Sequence, residues 1–406
     1  MKTFTFSNLG RRHPWQNMTK SALLLVGMLS VPPAVAVELS ENVQLHGFAS
    51  QAYVSTTANR FFGPSDSGSF DFRELGVNLS WLARPNLQFA AQLGSRKAGG
   101  TEVNARPRFD YALVDYTFYN SEDNRGGVRV GRHRIPLGFY NLTRDVANAR
   151  PSIFLPESVY YDQSRSLLLA LDGGQLYGET RTSIGDFFLE VGAGNLILDS
   201  KAKETSKATT SYAGRLLYER DGGRLRLALS RIEANLDIYQ RPFPNAKANY
   251  RFSYILSGQY NAEKWSLTGE WSPEVKSTLS GFIVQPVPGF VIRVPDIKQT
   301  GEGYYLQGAY RFLPGWEALL RYDVLYNDKK DKSGTTYAGL GGLPRYNNFA
   351  KDKTVGLAWN VRRDTKIRAE YHWVNGTAYL SGRENLNAQN TRQYWEMFAL
   401  QASYSF

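Results

Sequence analysis

The chain has 406 residues, a formal net charge of +11 from 48 Lys and Arg against 37 Asp and Glu, and no cysteine. Disulfides are therefore excluded as a source of stability, and beyond the first 36 residues no run is apolar for the ~18 residues a membrane-crossing helix needs, which excludes a helical membrane protein. Aromatic residues make up 14% and charged residues 21%, a composition shared by large soluble β-domains and transmembrane β-barrels, so arrangement along the chain decides between them.

The first twenty residues carry Lys2, Arg11, Arg12 and Lys20 with no acid, followed by an apolar run from Ser21 to Val31 and the small residues of Ala34-Val35-Ala36. This pattern predicts a signal peptide over 1–36, cut after Ala36. The apolar run ends at Pro32-Pro33, well short of the ~20 residues of a transmembrane anchor. Arg11-Arg12 precedes His13-Pro14-Trp15, a poor match to a twin-arginine signal, so export of an unfolded chain is expected. Loss of the four basic residues leaves 44 Lys and Arg against 37 Asp and Glu, a mature chain near +7 forming one domain over 37–406.

Sixteen stretches of alternating character follow, at 44–56, 71–82, 87–96, 109–119, 127–136, 166–179, 186–197, 209–219, 223–233, 249–261, 264–273, 303–313, 316–327, 352–362, 365–376 and 391–406. Their length of about ten residues is what a tilted membrane-spanning strand requires. In 316–326, Trp316, Ala318, Leu320, Tyr322, Val324 and Tyr326 oppose Glu317, Leu319, Arg321, Asp323 and Leu325; in 366–373, Ile367, Ala369, Tyr371 and Trp373 oppose Lys366, Arg368, Glu370 and His372. Successive strand residues point to opposite faces, so one face is greasy and the other polar. A soluble sandwich alternates too, but its connections have no reason to segregate by length. Here short links alternate with long segments at 57–69, 96–107, 137–165, 198–208, 234–248, 274–301, 328–351 and 376–391. That is the arrangement of periplasmic turns and extracellular loops, and it predicts an all-β, sixteen-stranded antiparallel transmembrane barrel with both ends in the periplasm. Trp81, Trp265, Trp316, Trp359 and Trp373 fall toward strand ends, where interfacial rings are favoured.

The last strand places Phe398, Leu400, Ala402, Tyr404 and Phe406 outward and Ala399, Gln401, Ser403 and Ser405 inward, and is expected to close the barrel on the segment 44–54. With Phe398, Tyr404 and the terminal Phe406 it resembles the C-terminal assembly signal of bacterial outer-membrane proteins. That resemblance implies the barrel-assembly machinery as a partner and the bacterial outer membrane as the location.

The third long segment, 137–165, is expected to be the constriction loop. Ile153, Phe154, Leu155, Val159, Tyr160 and Tyr161 supply apolar anchors for an inner wall, leaving Arg144, Asp145, Arg150, Glu157, Asp162 and Arg165 to meet water and solute. The stretch Gly131 to Gly138, a basic strand running into Pro-Leu-Gly ahead of this loop, resembles porins of the phosphate-selective O/P type. The resemblance implies a homotrimer with an inward-folded third loop, a lumen arginine ladder and a lysine cluster. With apolar residues facing lipid, Arg129, Arg215, Arg224, Arg226, Arg251, Arg311, Arg321, Lys366 and Arg368 are expected in the lumen. Glu74, Glu190, Glu219, Glu270, Glu317, Asp323 and Glu370 are expected beside them, and no lysine cluster is present. A basic lumen attracts anions, because low-dielectric walls focus the field. The expected function is therefore passive diffusion of small hydrophilic, anionic or polar solutes, with the surplus basic charge alternatively serving outer-membrane lipid and lipopolysaccharide. A channel specific for small organic acids or sugars, with Tyr160 and Tyr161 as an aromatic slide, and an adhesin acting through 274–301 and 328–351 are the other readings.

No enzyme, cofactor or metal is expected. His46, His133 and His372 lie in no hydrolase motif, and the three lysines in Asp328-Lys-Lys-Asp-Lys-Ser-Gly334 oppose a calcium loop. Gly192-Ala193-Gly194 lacks the third glycine and the helix of a nucleotide fingerprint, and no nucleic-acid module is present.

Overall fold

The computed structural model describes residues 37–406 except 101, 103, 199–205, 239–245, 281–282, 288–289, 294–295 and 337–342. The expected signal peptide, 1–36, lies outside the described residues, as do parts of the segments 198–208, 234–248, 274–301 and 328–351.

Sixteen long strands form the barrel: β1 Val43–Thr56, β2 Ser69–Arg84, β3 Leu87–Ala98, β4 Arg108–Asn120, β5 Asn124–Arg134, β6 Ala170–Thr182, β7 Gly185–Leu196 and β8 Thr210–Arg220. Then come β9 Leu225–Ile238, β10 Ala246–Asn261, β11 Trp265–Ser280, β12 Ile297–Leu313, β13 Trp316–Tyr326, β14 Phe349–Asn360, β15 Thr365–Gly376 and β16 Tyr394–Ser405. Each pairs antiparallel with its neighbours, and β16 returns to β1 with Phe48 opposite Ser405 and Thr56 opposite Met397. Closure leaves the barrel no free edge, so the strand amides and carbonyls find partners where lipid offers none. Short strands at Val37–Ser40 and Ser206–Ala208 add to β1 and β9.

The alternation sorts side chains as the barrel needs. On β13 Leu320 is 64% exposed while its neighbour Leu319 is 5% exposed, and on β15 Trp373 is 45% exposed beside a 1% exposed His372. Exposed Leu, Val and aromatic residues continue around the outside, as a lipid-facing band requires. Trp316 stacks on Trp359 across β13 and β14 at 5.3 Å near the short-turn end.

Inside, two apolar clusters occupy different sectors of the barrel. One joins Ile232, Phe252, Ile255 and Tyr305 to Leu137, Phe139 and Val159. The other joins Val54, Phe72, Val374 and Met397 to Phe61, Phe62, Ile153 and Phe154.

Strands are longer than the sequence pattern indicates where they leave the lipid. The segment 274–301, read as a loop, is largely strand: β11 runs on to Ser280, β12 begins at Ile297, and a hairpin of Ile283–Val287 and Phe290–Arg293 lies between. Ladder pairing rests on backbone groups alone, so it continues after the apolar alternation has ended.

The chain terminus explains the requirement for glycine at 47. Gly47 donates its N–H to the carbonyl of Phe406 at 3.0 Å and accepts the Phe406 N–H at 2.9 Å, and a Cβ at Gly47 would overlap the Phe406 ring. Gly47→Leu should therefore expel the ring and destabilise the closed barrel by about 1–3 kcal/mol, the usual cost of overpacking. A lower denaturant midpoint in detergent, at unchanged slope, is the expected readout.

Candidate functional site

Residues 135–169 connect β5 to β6, and Pro136, which has no N–H to donate, ends the β5 ladder. The segment contains only short helical turns, at Ala147–Ala149, Glu157–Tyr160, Asp162–Ser164 and Arg165–Leu168. Its contacts are with strand side chains on the face opposite the exposed apolar residues, and three sets of them fix its course.

The first set centres on Glu270 of β11. Its carboxylate accepts the hydroxyls of Tyr160 (2.6 Å), Tyr305 (2.7 Å) and Ser257 (2.5 Å) and the N–H of Phe139 (3.0 Å). The Tyr160 hydroxyl in turn accepts the N–H groups of Phe139 and Tyr140 at 2.8 and 3.0 Å. Gly138 has φ +54°, and a side chain there would strike both the Tyr160 hydroxyl and Glu270. Arg215 closes this end, donating to the Gly138 carbonyl at 3.0 Å and to Glu190 at 2.7 Å.

The second set lies on the opposite wall. Arg150 donates both terminal nitrogens to Glu74 of β2, at 3.1 and 2.5 Å, and Arg96 of β3 reaches the same carboxylate at 3.3 Å. Arg96 also binds Asp162 at 2.6 Å and Glu102 at 2.9 Å. Arg165 pairs with Asp145 and, at 3.4 Å, with Glu102, while Asp145 also pairs with Arg134. Burial raises the Glu102 carboxyl, but Arg165, Arg96 and Arg108 outweigh it and hold the group at about 2. Burial and the neighbouring Arg165 bring Arg144 down to about 10; it donates to Asn141 at 3.1 Å and to the Tyr160 carbonyl at 2.9 Å.

The third set uses arginines to hold backbone. Arg321 donates to Ser152 Oγ and the Phe154 carbonyl at 2.8 and 2.9 Å, and Arg368 to the carbonyls of Ala147 and Arg150 at 3.0 and 2.6 Å. Glu370 accepts the Ile153 N–H at 2.5 Å. Lys366 reaches the Asn148 carbonyl at 3.3 Å, and Asn148 itself bonds Ser403 and Ser405 of β16.

Between the second and third sets lies a narrow cleft of about 20 Å³. Arg96, Arg144, Arg150 and Arg165 line it with Glu74, Glu157 and Asp162, and Phe62, Phe72 and Phe154 form its aromatic side. Phe62 stacks on Phe72 at 4.6 Å, with the Arg96 guanidinium 5.3 Å from the Phe72 ring centre. Glu157 accepts only the Asp162 N–H among the bonds seen, and burial, then the Asp162 and Asp323 charges, push its carboxyl well above the usual range.

Several expectations are corrected. Arg144, Asp145, Arg150, Glu157, Asp162 and Arg165 do not stand open to water: all are at most 9% exposed, because the arginines and aspartates meet opposite charges or backbone carbonyls and Glu157 is turned onto the Asp162 N–H. Tyr160, 1% exposed and hydrogen-bonded through its hydroxyl, offers no open aromatic slide; Tyr161 is half-buried with its hydroxyl 3.4 Å from the Ala378 carbonyl. Arg251 points outward, opposite Glu233 and Lys276, because a bulge between β9 and β10 shifts the ladder and reverses the alternation: Phe252 is buried inside. Arg224 sits in the turn before β9 and meets the hydroxyl of outward Tyr260 at 3.0 Å. Arg311 is exposed at the short-turn end and holds the carbonyls of Ala262 and Glu263. Arg129, with Asp115, Gln175 and Glu190, and Arg226, with Glu219 and Gln259, do lie on the inner face. Among residues not anticipated, Arg96 was within reach of the sequence pattern, since it continues the inward series Gln92, Gly94.

No protein-family model and no curated relative matches the sequence. Solved structures do. OmpT, an outer membrane protein of Vibrio cholerae, superposes with a TM-score of 0.55 at 10% identity, over 92% of this chain and 100% of that one. The outer membrane channel DcaP of Acinetobacter baumannii gives 0.53 at 13% identity, and Salmonella typhi OmpF, solved in complex with daunomycin, gives 0.54 at 15%, both over 92% of this chain and 100% of theirs. The fold is that of the porin-like outer-membrane barrels. At such identities the likeness extends to architecture, and the chemistry has to come from the residues around the cleft.

Proposed function

We propose that the barrel is a water-filled outer-membrane channel for passive diffusion of small hydrophilic solutes, favouring anions, with residues 137–165 folded into the lumen as the constriction. The observation that carries this reading is the cleft, where four arginines meet three acids. Glu157 is held toward its neutral form, which leaves the arginines in excess. Guanidinium groups suit carboxylate and phosphate and stay charged at any relevant pH. The resemblance to phosphate-selective O/P porins supports anion preference and a homotrimer. The absence of a lysine cluster speaks for broader anion preference over phosphate alone. Reversal potentials across planar bilayers in a salt gradient test the reading: anion-selective steps are expected, and cation selectivity or no steps at all would sink it.

The state of Glu157 gives this selectivity a pH dependence. Below its raised pKa the group is neutral, and above it the cleft gains one negative charge, so anion preference should decline as pH rises. Glu157→Gln should match the wild type at low pH and abolish that decline. An equally steep decline in the variant would show that another group sets it.

A further inference from the structure

At the long-loop end, directly above the cleft, a carboxylate sits in a cradle of backbone amides. Glu384 accepts the N–H groups of Gly63 at 2.5 Å, Gly100 at 2.7 Å and Phe62 at 3.2 Å. These donors come from two connections, β1–β2 and β3–β4, while Glu384 belongs to a third, between β15 and β16. Successive amides that converge on one point make an anion-binding concavity, and the chain here takes the left-handed conformations such a concavity needs: φ is +59° at Phe62, +85° at Gly63 and +50° at Gly99. Phe62 bears a Cβ and therefore holds this conformation under strain. The cradle is cut to its occupant. A Cβ at Gly99 would overlap Glu384 Oε1, and one at Gly100 would come within 2.8 Å of its Cγ.

Phe62 belongs to both structures: its N–H holds Glu384 and its ring forms part of the aromatic side of the cleft. The turn around Glu384 is tied down beside it. Asn385 exchanges two hydrogen bonds with the backbone of Arg60, at 3.1 and 2.9 Å, and Asn59 exchanges two with that of Arg392, both at 2.8 Å.

We propose that the amides of Phe62, Gly63 and Gly100 form a carboxylate-binding site at the extracellular mouth, occupied by Glu384, and that this occupancy keeps Phe62 over the cleft. A solute carboxylate presents the same acceptor, so it competes with Glu384 for the three donors and, wherever Glu384 has left them, holds Phe62 over the cleft in its place. The site thus makes carboxylates the anions that act on the cleft through the position of Phe62. This rests on the channel reading above.

The test uses the full barrel in planar bilayers, with acetate as the probe at constant ionic strength. Glu384→Ala should raise conductance above the wild-type level, and acetate should restore that level by refilling the cradle. In the double variant Gly100→Val/Glu384→Ala, where the added side chain fills the cradle, conductance should stay high with acetate. Glu384→Ala conducting as the wild type does, or acetate acting equally on both variants, overturns the proposal. Amide hydrogen exchange separates it from the channel reading: loss of protection at Phe62, Gly63 and Gly100 in Glu384→Ala, recovered with acetate, supports the site even if the wild type carries no current. Unchanged protection refutes it.

Discussion

Glu270→Ala should release the β11 end of the 135–169 segment and produce the largest loss of local order of any single substitution in the barrel. Four donors converge on that carboxylate, from Ser257, Tyr160, Tyr305 and Phe139, in a site where Glu270 is 2% exposed. An orphaned buried donor costs about 1–3 kcal/mol, and water entering the space left by the side chain recovers part of it, so a net loss of about 3–5 kcal/mol is expected. Glu270→Gln preserves shape and one acceptor oxygen and should cost roughly 1–2 kcal/mol. The loss is local because the strands keep their ladders. The expected result is fast proteolysis within 137–165 and noisy, enlarged channel currents on an intact barrel. A Glu270→Ala loop as protease-resistant as the wild type would mean that the apolar contacts of Leu137, Phe139 and Val159 hold it unaided.

The barrel was legible from the sequence because its physics is local. Alternation at period 2 needs only neighbours along the chain, so Leu319 and Leu320 betray their faces without knowledge of any partner. The limits of that logic show at Arg251, where a bulge that leaves no mark in composition reverses the phase and turns an expected lumen arginine outward. The same locality hid the state of the loop charges. Arg150 meets Glu74 across 76 residues and Tyr160 meets Glu270 across 110, pairings fixed by closure of the barrel. Charge counting over the inward residues came out nearly balanced, and the structure gives the physical reason: each arginine at the cleft has a designated acid or carbonyl. What matters for an ion in transit is the residue of charge left after pairing, and no linear pattern records it. Glu384 and its cradle were equally hidden, because the acceptor and its donors come from three separate connections whose sequences read as ordinary polar loops.

Glu74→Gln should turn that residual charge into a measurable selectivity. Glu74 neutralises two arginines at once, Arg150 through paired contacts and Arg96 through one, and it lines the cleft itself. Its replacement by a neutral amide of the same shape leaves the cleft one unit more positive. A unit charge about 5 Å away is worth about 3 kcal/mol at an effective dielectric constant near 20 and less beside mobile ions, so ~1 kcal/mol is the reasonable share for a permeating ion. That is roughly a fivefold rise in the ratio of anion to cation permeability. Breaking a buried pair by removing one partner also costs about 3–5 kcal/mol, so Arg150 is expected to turn toward the water of the cleft. Glu74→Gln should therefore narrow the pore as well as bias it. Arg150→Gln should do the reverse, shifting permeability toward cations by a comparable factor, and the double variant should return close to the wild-type ratio because both charges are gone. Reversal potentials of the three variants in one salt gradient decide the matter. Identical ratios in all of them would show that permeating ions do not pass within reach of this pair, and the path of conduction would have to be sought along the inner wall at Arg129 and Arg226.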